Sequence, residues 1–137
     1  MFLFINTLQT RKITLALFAN PKKIHWFEKE EKGVERENVL EILEKSLAKQ
    51  KKKATDLKGI VVVNGPGSFV GIRIALSVAN ALGWALSIPV CGVSFFPGQS
   101  NESLIKKSWP QIARRKKFKI VSPFYGQSPN ITIVKNK

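Results

Sequence analysis

The stretch in this sequence best suited to chemistry is "GPGSFVGIR", which runs from Gly65 to Arg73 after the apolar run "IVVV". A glycine-rich turn between a strand and a helix can aim backbone N–H groups at a phosphate. The turn lacks the Lys-Ser/Thr ending of a P-loop and the G-x-G-x-x-G spacing of a dinucleotide fold, so neither standard mechanism follows. The plainer reading of the same glycines is a tight turn with close approach of helix to sheet. Other reactive residues are few. One cysteine, Cys91, excludes an intramolecular disulfide framework and suits a reducing, cytoplasmic compartment. With a single histidine, His25, it leaves no zinc cluster, and no Ser-His-Asp set can be assembled. His25 sits in the alternating stretch "KIHWFEKE" and reads as a strand-face residue. No catalytic or metal-ligating residue is therefore assigned.

Charge is the second feature that could act on a partner. The 137-residue chain carries 23 Lys and Arg against 9 Asp and Glu, a formal net charge of +14. Eight of the acidic residues lie between Glu28 and Asp56, whereas from Leu57 onward 11 basic residues face only Glu102. Two runs stand out, "KQKKK" (Lys49 to Lys53) and "ARRKKFK" (Ala113 to Lys119). Such runs attract phosphate backbones by counterion release, or are simply a solvated surface. On the first reading Arg114, Arg115, Lys116, Lys117 and Lys119 would contact the phosphate backbone of an RNA. Phe118 is the one ring inside either run, too few for a base-stacking platform.

These residues need elements to position them. The stretches "MFLFINT" and "ITLALFA" read as a hairpin, and "IHWFEKE" as a third antiparallel strand at a sheet edge. In "ERENVLEILEKSLAK", from Glu35 to Lys49, apolar residues recur at helical spacing, with acids early and lysines late as the helix dipole favours. The run Ile60 to Val63 reads as a strand buried on both faces. After the glycine turn comes a helix apolar on nearly every side, one side expected to meet the sheet and the other the helix from Glu35 and, beyond it, another chain, with Arg73 the one charge between Phe69 and Ile88. Arg73, Ser77 and Asn80 argue against a membrane span there. The stretch "ITLALFA" is too short for a signal peptide and is followed by "NPKK" rather than a cleavage site. A strand from Pro89 to Phe95 follows, then a short helix broken at Pro110, then two strands around the turn "YGQSPN". The order points to α/β with a mixed sheet.

The run "DLKGIVVVNGPGSFVGIRIALSVANALGWALSIPVCGVSFF" resembles the TsaB (YeaZ) family, whose signature is G-P-G-S-F-T-G-x-R-I-G, a helix, then I-P-x-x-G-V-S-x-L. The first hairpin and the helix from Glu35 occupy the family's corresponding places. The resemblance implies an actin-like ATPase (ASKHA, ribonuclease H-like) N-terminal lobe over residues 1–95, with mixed sheet and two packed helices. Residues 96–137 would then be a basic remnant of a truncated second lobe. It further implies a non-catalytic scaffold that pairs with a TsaD-like protein, supported by a TsaE-like ATPase, in threonylcarbamoylation of adenosine 37 of tRNA. Carried over by position, Gly65, Pro66, Gly67, Ser68, Gly71 and Arg73 form the motif loop near any nucleotide. Val39, Leu43, Ile72, Leu76, Ala79 and Gly83 form the partner interface, which could also serve a homodimer. ATP or ADP with Mg²⁺ would belong to the partner complex, not to this chain alone. Asn6 stands where the family usually has Asp, Val70 where it has Thr, and Ala75 where it has Gly.

Overall fold

A computed structural model describes residues 1–9, 12–30, 39–67 and 69–124. Five strands form one mixed sheet: β1 (Phe2–Asn6), β2 (Lys12–Asn20), β3 (Lys23–Glu30), β4 (Gly59–Gly65) and β5 (Val90–Ser94), in the order β3-β2-β1-β4-β5. β1 pairs antiparallel with β2, and β2 with β3, while β1–β4 and β4–β5 are parallel. The parallel pairs are joined by helices because a parallel return needs a crossover. These are α1 (Val39–Lys49), before β4, and α2 (Phe69–Leu86), between β4 and β5; α3 (Asn101–Arg114) follows β5.

Strand alternation sends side chains to two cores, one on each face of the sheet. Leu3, Ile5, Leu15, Leu17, Ile60 and Val62 meet Ile42, Leu43 and Leu47 of α1 and Ile72, Ala75, Leu76 and Ala79 of α2. Phe4, Ala16, Phe18, Val61, Val63 and Cys91 point the other way, against Leu104, Ile105 and Ile112 of α3. Trp109 closes the second core, edge-on to Phe2 at 5.3 Å between ring centroids. β3 is the exposed edge strand that its charged sequence predicts. The described start of α1 is Val39; the part from Glu35 lies outside the described residues.

Two expectations change. The helix after β5 is not broken at Pro110 but runs through it to Arg114. Pro110 and the residue one turn before it, Lys106, are exposed, so water can satisfy the carbonyl that loses its partner. A helix-interior proline costs about 3 kcal/mol, whereas burial of Leu104, Ile105 and Ile112 contributes about 1.5–3 kcal/mol each. The packing of α3 on the sheet outweighs the break. α3 fills the second core with Leu104, Ile105 and Ile112.

The second change concerns residues 118–124, read as a strand. They belong to no strand of the sheet and are held instead by two asparagines. Asn80 on α2 donates to the Val121 carbonyl and accepts from its N–H, both at 3.0 Å. The Asn64 side chain donates to the Ser122 carbonyl at 2.9 Å, and the Asn64 carbonyl accepts from the Phe124 N–H at 2.8 Å. The expected turn and second strand lie outside the described residues.

In α2, as read, the sheet takes one side and leaves the other open. One flat sheet covers about half of a helix, and Val70, Arg73, Ser77, Ala81, Trp84 and Ala85 remain exposed on the other half. Among the described residues, no helix is long and apolar enough to cross a membrane.

Candidate functional site

The glycine motif ends β4 and opens α2. Gly65 has φ +133°, and a Cβ on it would lie 1.7 Å from the Phe124 carbonyl oxygen, so glycine is required twice over. The Gly65–Pro66 peptide is cis. Gly67 lies under Leu8, whose side chain would be 3.2 Å from an added Cβ. The turn between β1 and β2 therefore rests on the motif. Thr7 Oγ1 donates to the Gly71 carbonyl at 2.8 Å, tying that turn to the start of α2. Ser68 lies outside the described residues, and Arg73 is exposed on the outer side of α2.

Beside the motif, Asn6 is fully buried at the end of β1. Its Nδ2 donates to Asn101 Oδ1 at 2.7 Å, and its Oδ1 accepts from the Leu8 N–H at 3.0 Å. Asn101 Nδ2 donates to Gln9 Oε1 at 3.3 Å, which also accepts from Thr14 Oγ1 at 3.2 Å. This amide chain joins β1, β2 and α3 with its polar atoms turned on one another. Directly coordinated Mg²⁺ calls for carboxylate and carbonyl oxygens. The hydrogen-bonded cluster offers no carboxylate, and the described residues hold no group of three His, Cys, Asp or Glu able to share an ion. Thr7, Gln9 and Asn101 were not singled out in the sequence, since Asn101 meets Asn6 across 95 residues.

The residues expected at a partner interface face inward. Val39, Leu43, Ile72, Leu76, Ala79 and Gly83 are all buried within the chain's own core. A Cβ on Gly83 would lie 2.3 Å from Val90 and 2.8 Å from the Phe118 ring, so this glycine serves internal packing. The outer side of the same two helices presents a different apolar set. Trp84 is 74% exposed, Val70 56% and Leu40 47%, with Ala81 and Ala85 between. A groove of about 420 Å³ is lined by Leu40, Leu43, Leu47, Ala48 and Leu82, with Glu44, Lys52 and Lys53 as its charged residues. Large apolar side chains set on one helix face mark an interaction surface.

The basic residues after α3 are all exposed. Two of them contact carbonyls: Arg114 Nε donates to Pro110 at 2.9 Å and Arg115 Nη1 to Val90 at 3.3 Å. Lys116, Lys117 and Lys119 form no ion pair among the described residues.

Comparison with known proteins bears on this arrangement. A family model described as TsaD, tRNA N6-adenosine threonylcarbamoyltransferase, matches residues 35–113. The tRNA threonylcarbamoyladenosine biosynthesis protein TsaB of Buchnera aphidicola subsp. Schizaphis graminum is 28% identical over 117 residues, covering 85% of this chain and 49% of that protein. The protein of the same name from Bacillus subtilis is 51% identical over 39 residues, 28% of this chain and 17% of its own. In three dimensions the fold matches YeaZ from Pseudomonas aeruginosa with a TM-score of 0.61 and 26% identity, over 68% of this chain and 43% of that one. This chain thus spans about half the length of the first relative, 49%. The motif turn, the helix order and these matches agree: the chain belongs to the TsaD family and is a TsaB (YeaZ) type member of it.

Proposed function

We propose that this chain is a non-catalytic scaffold that docks on a TsaD-like partner in threonylcarbamoylation of adenosine 37 of tRNA. The observation that carries this reading is the outer face of α2, where Val70, Ala81, Trp84 and Ala85 are exposed together beside the α1 groove. Interfaces bind through a few large anchors in an apolar patch, and exposed Trp is prominent among them. The amide cluster behind the motif supports a structural rather than a catalytic role for this chain. ATP and Mg²⁺ would then belong to the partner, and a TsaE-like ATPase would act on the assembled pair. The same face could pair two copies of this chain when the partner is absent.

The test is co-purification with the TsaD-like protein from the same genome, followed by mass determination. Trp84→Asp is expected to weaken the heterodimer by tenfold or more, a typical hot-spot loss, while leaving the chain folded because Trp84 is outside the core. Undiminished binding by Trp84→Asp and by Val70→Asp would remove this face from the assembly. If the wild-type chain forms no heterodimer, the scaffold reading itself fails.

A further inference from the structure

The two basic runs are about sixty residues apart in sequence, yet the topology brings them to one end of the sheet. β1, β4 and β5 all begin there, as the pairings Phe2 with Gly59 and Ile60 with Val90 require. α1, on one face, ends at Lys49 and leads through Lys51, Lys52, Lys53 and Lys58 into β4. α3, on the other face, ends at Arg114, and Arg115 reaches the Val90 carbonyl at the start of β5. The turn between β2 and β3 adds Lys22 and Lys23, next to the Asn20–Lys23 pairing. A cleft of about 280 Å³ at this end is lined by Met1, Phe18, Lys23, His25, Gln50 and Lys52.

The described acids lie mostly elsewhere. Glu28 and Glu30 are towards the far end of β3, Glu28 in an ion pair with Lys12, and Glu102 is in the first turn of α3 beside the amide cluster. Glu41 is in the first turn of α1, whereas Glu44 lines one groove with Lys52 and Lys53, and Asp56 stands at the basic end, where its carboxylate accepts from the Lys53 N–H at 2.8 Å. Among the described residues, Lys51, Lys52, Lys53, Lys58, Lys116 and Lys117 form no ion pair. Complementing helix dipoles would account for Lys49 and Arg114, which occupy last turns. It does not account for the lysines beyond the helices.

We propose that this end of the sheet is a docking surface for the phosphate backbone of a structured RNA. Five strands spaced about 4.8 Å apart make the end about 19 Å wide, wide enough for several phosphates of one strand to lie across it. The surface combines both basic runs, and neither run alone covers it. The choice of RNA among polyanions rests on the tRNA-modification reading above. A lipid surface would need a broad apolar face as well as charge; near this end the exposed large apolar side chains are the separate Trp84 and Ile120, and Trp84 is covered by the partner in the proposed heterodimer.

The experiment measures binding of an unmodified tRNA transcript by fluorescence anisotropy across a potassium chloride series. It uses the full chain, alone and with its TsaD-like partner. One variant combines Lys23→Glu, Lys52→Glu and Lys53→Glu; a second combines Lys116→Glu and Lys117→Glu; a third carries all five. The salt slope of the logarithm of affinity is expected to fall by about 0.9 for each lysine removed, so both partial variants lose slope and the third loses most. Gln versions at the same positions serve if circular dichroism shows a Glu variant unfolded. Equal slopes in wild type and the five-fold variant would overturn the proposal, as would loss confined to one run. Binding to phosphatidylserine vesicles or to polyglutamate as tight as to the transcript would also overturn it. A partner that co-purifies normally with a chain showing no RNA affinity sinks this inference alone, whereas retained RNA affinity without partner binding sinks the scaffold reading alone.

Discussion

Cys91 shows how one buried group reports on the contact between two elements. Its side chain lies between β5 and α3, with Sγ donating to Gln111 Oε1 at 2.8 Å. Burial raises the thiol pKa above its ordinary 9.0, and the nearby Arg115 only partly opposes this. The native state therefore holds the proton where the unfolded chain has released it. Stability should be unaffected below the ordinary thiol range and decline as pH rises through about 9, because there the native state binds more protons than the unfolded one. Urea midpoints at pH 7.5 and 10, compared with Cys91→Ala, measure this; the decline should be larger in the wild type. Thiol labelling of the folded chain should likewise be slow, since the thiolate is the reactive form. Labelling as fast in buffer as in urea would mean that α3 does not hold its place over β5.

The amide hooks make the corresponding case for elements. Asn80 presents a donor and an acceptor to Val121 much as a neighbouring strand would, so residues 118–124 follow α2 without joining the sheet. Asn80→Ala should release this segment while leaving α2 helical. Hydrogen exchange would then show early loss of protection at Val121 and Phe124, with the β4 amides unchanged; retained protection would shift the weight to the Asn64 contacts. Such a link is invisible in sequence because it spans 41 residues and uses a side chain in place of a strand. By contrast, β1 to β4, α1 and the motif turn were legible, because alternation, helical spacing and Gly65-Pro66-Gly67 are local signals. In α2 the pattern gave two apolar stripes without saying which one meets the sheet. The expected interface set, Ile72, Leu76, Ala79 and Gly83, took the inward stripe because it packs most closely there, leaving Val70, Ala81 and Trp84 outside. The run through Pro110 was likewise decided by the facing sheet, which no local pattern encodes.

Taken as a whole, the described residues set an amide cluster at one end of the sheet and a cationic surface at the other. The motif turn and the Asn6–Asn101–Gln9 amides occupy the first, while the starts of β1, β4 and β5 gather the lysines of both basic runs at the second. With a formal net charge of +14, concentration of like charge raises the free energy of the compact state. Unfolding separates these lysines, so the repulsion acts mainly against folding. Salt screens it, the Debye length shrinking from about 30 Å at 0.01 M to about 10 Å at 0.1 M. The melting temperature should therefore rise between these concentrations, by a few degrees if the relief is about 1 kcal/mol. Polyphosphate should raise it further at equal ionic strength, because it binds the cationic end of the folded chain more tightly than the dispersed charges of the unfolded one. Lys52→Gln with Lys53→Gln should reproduce part of the salt effect at 0.01 M and reduce the extra gain from polyphosphate. A melting temperature indifferent to both additions would mean that the lysines lie too far apart to act as one surface, and the convergence of the two runs would then have no energetic consequence.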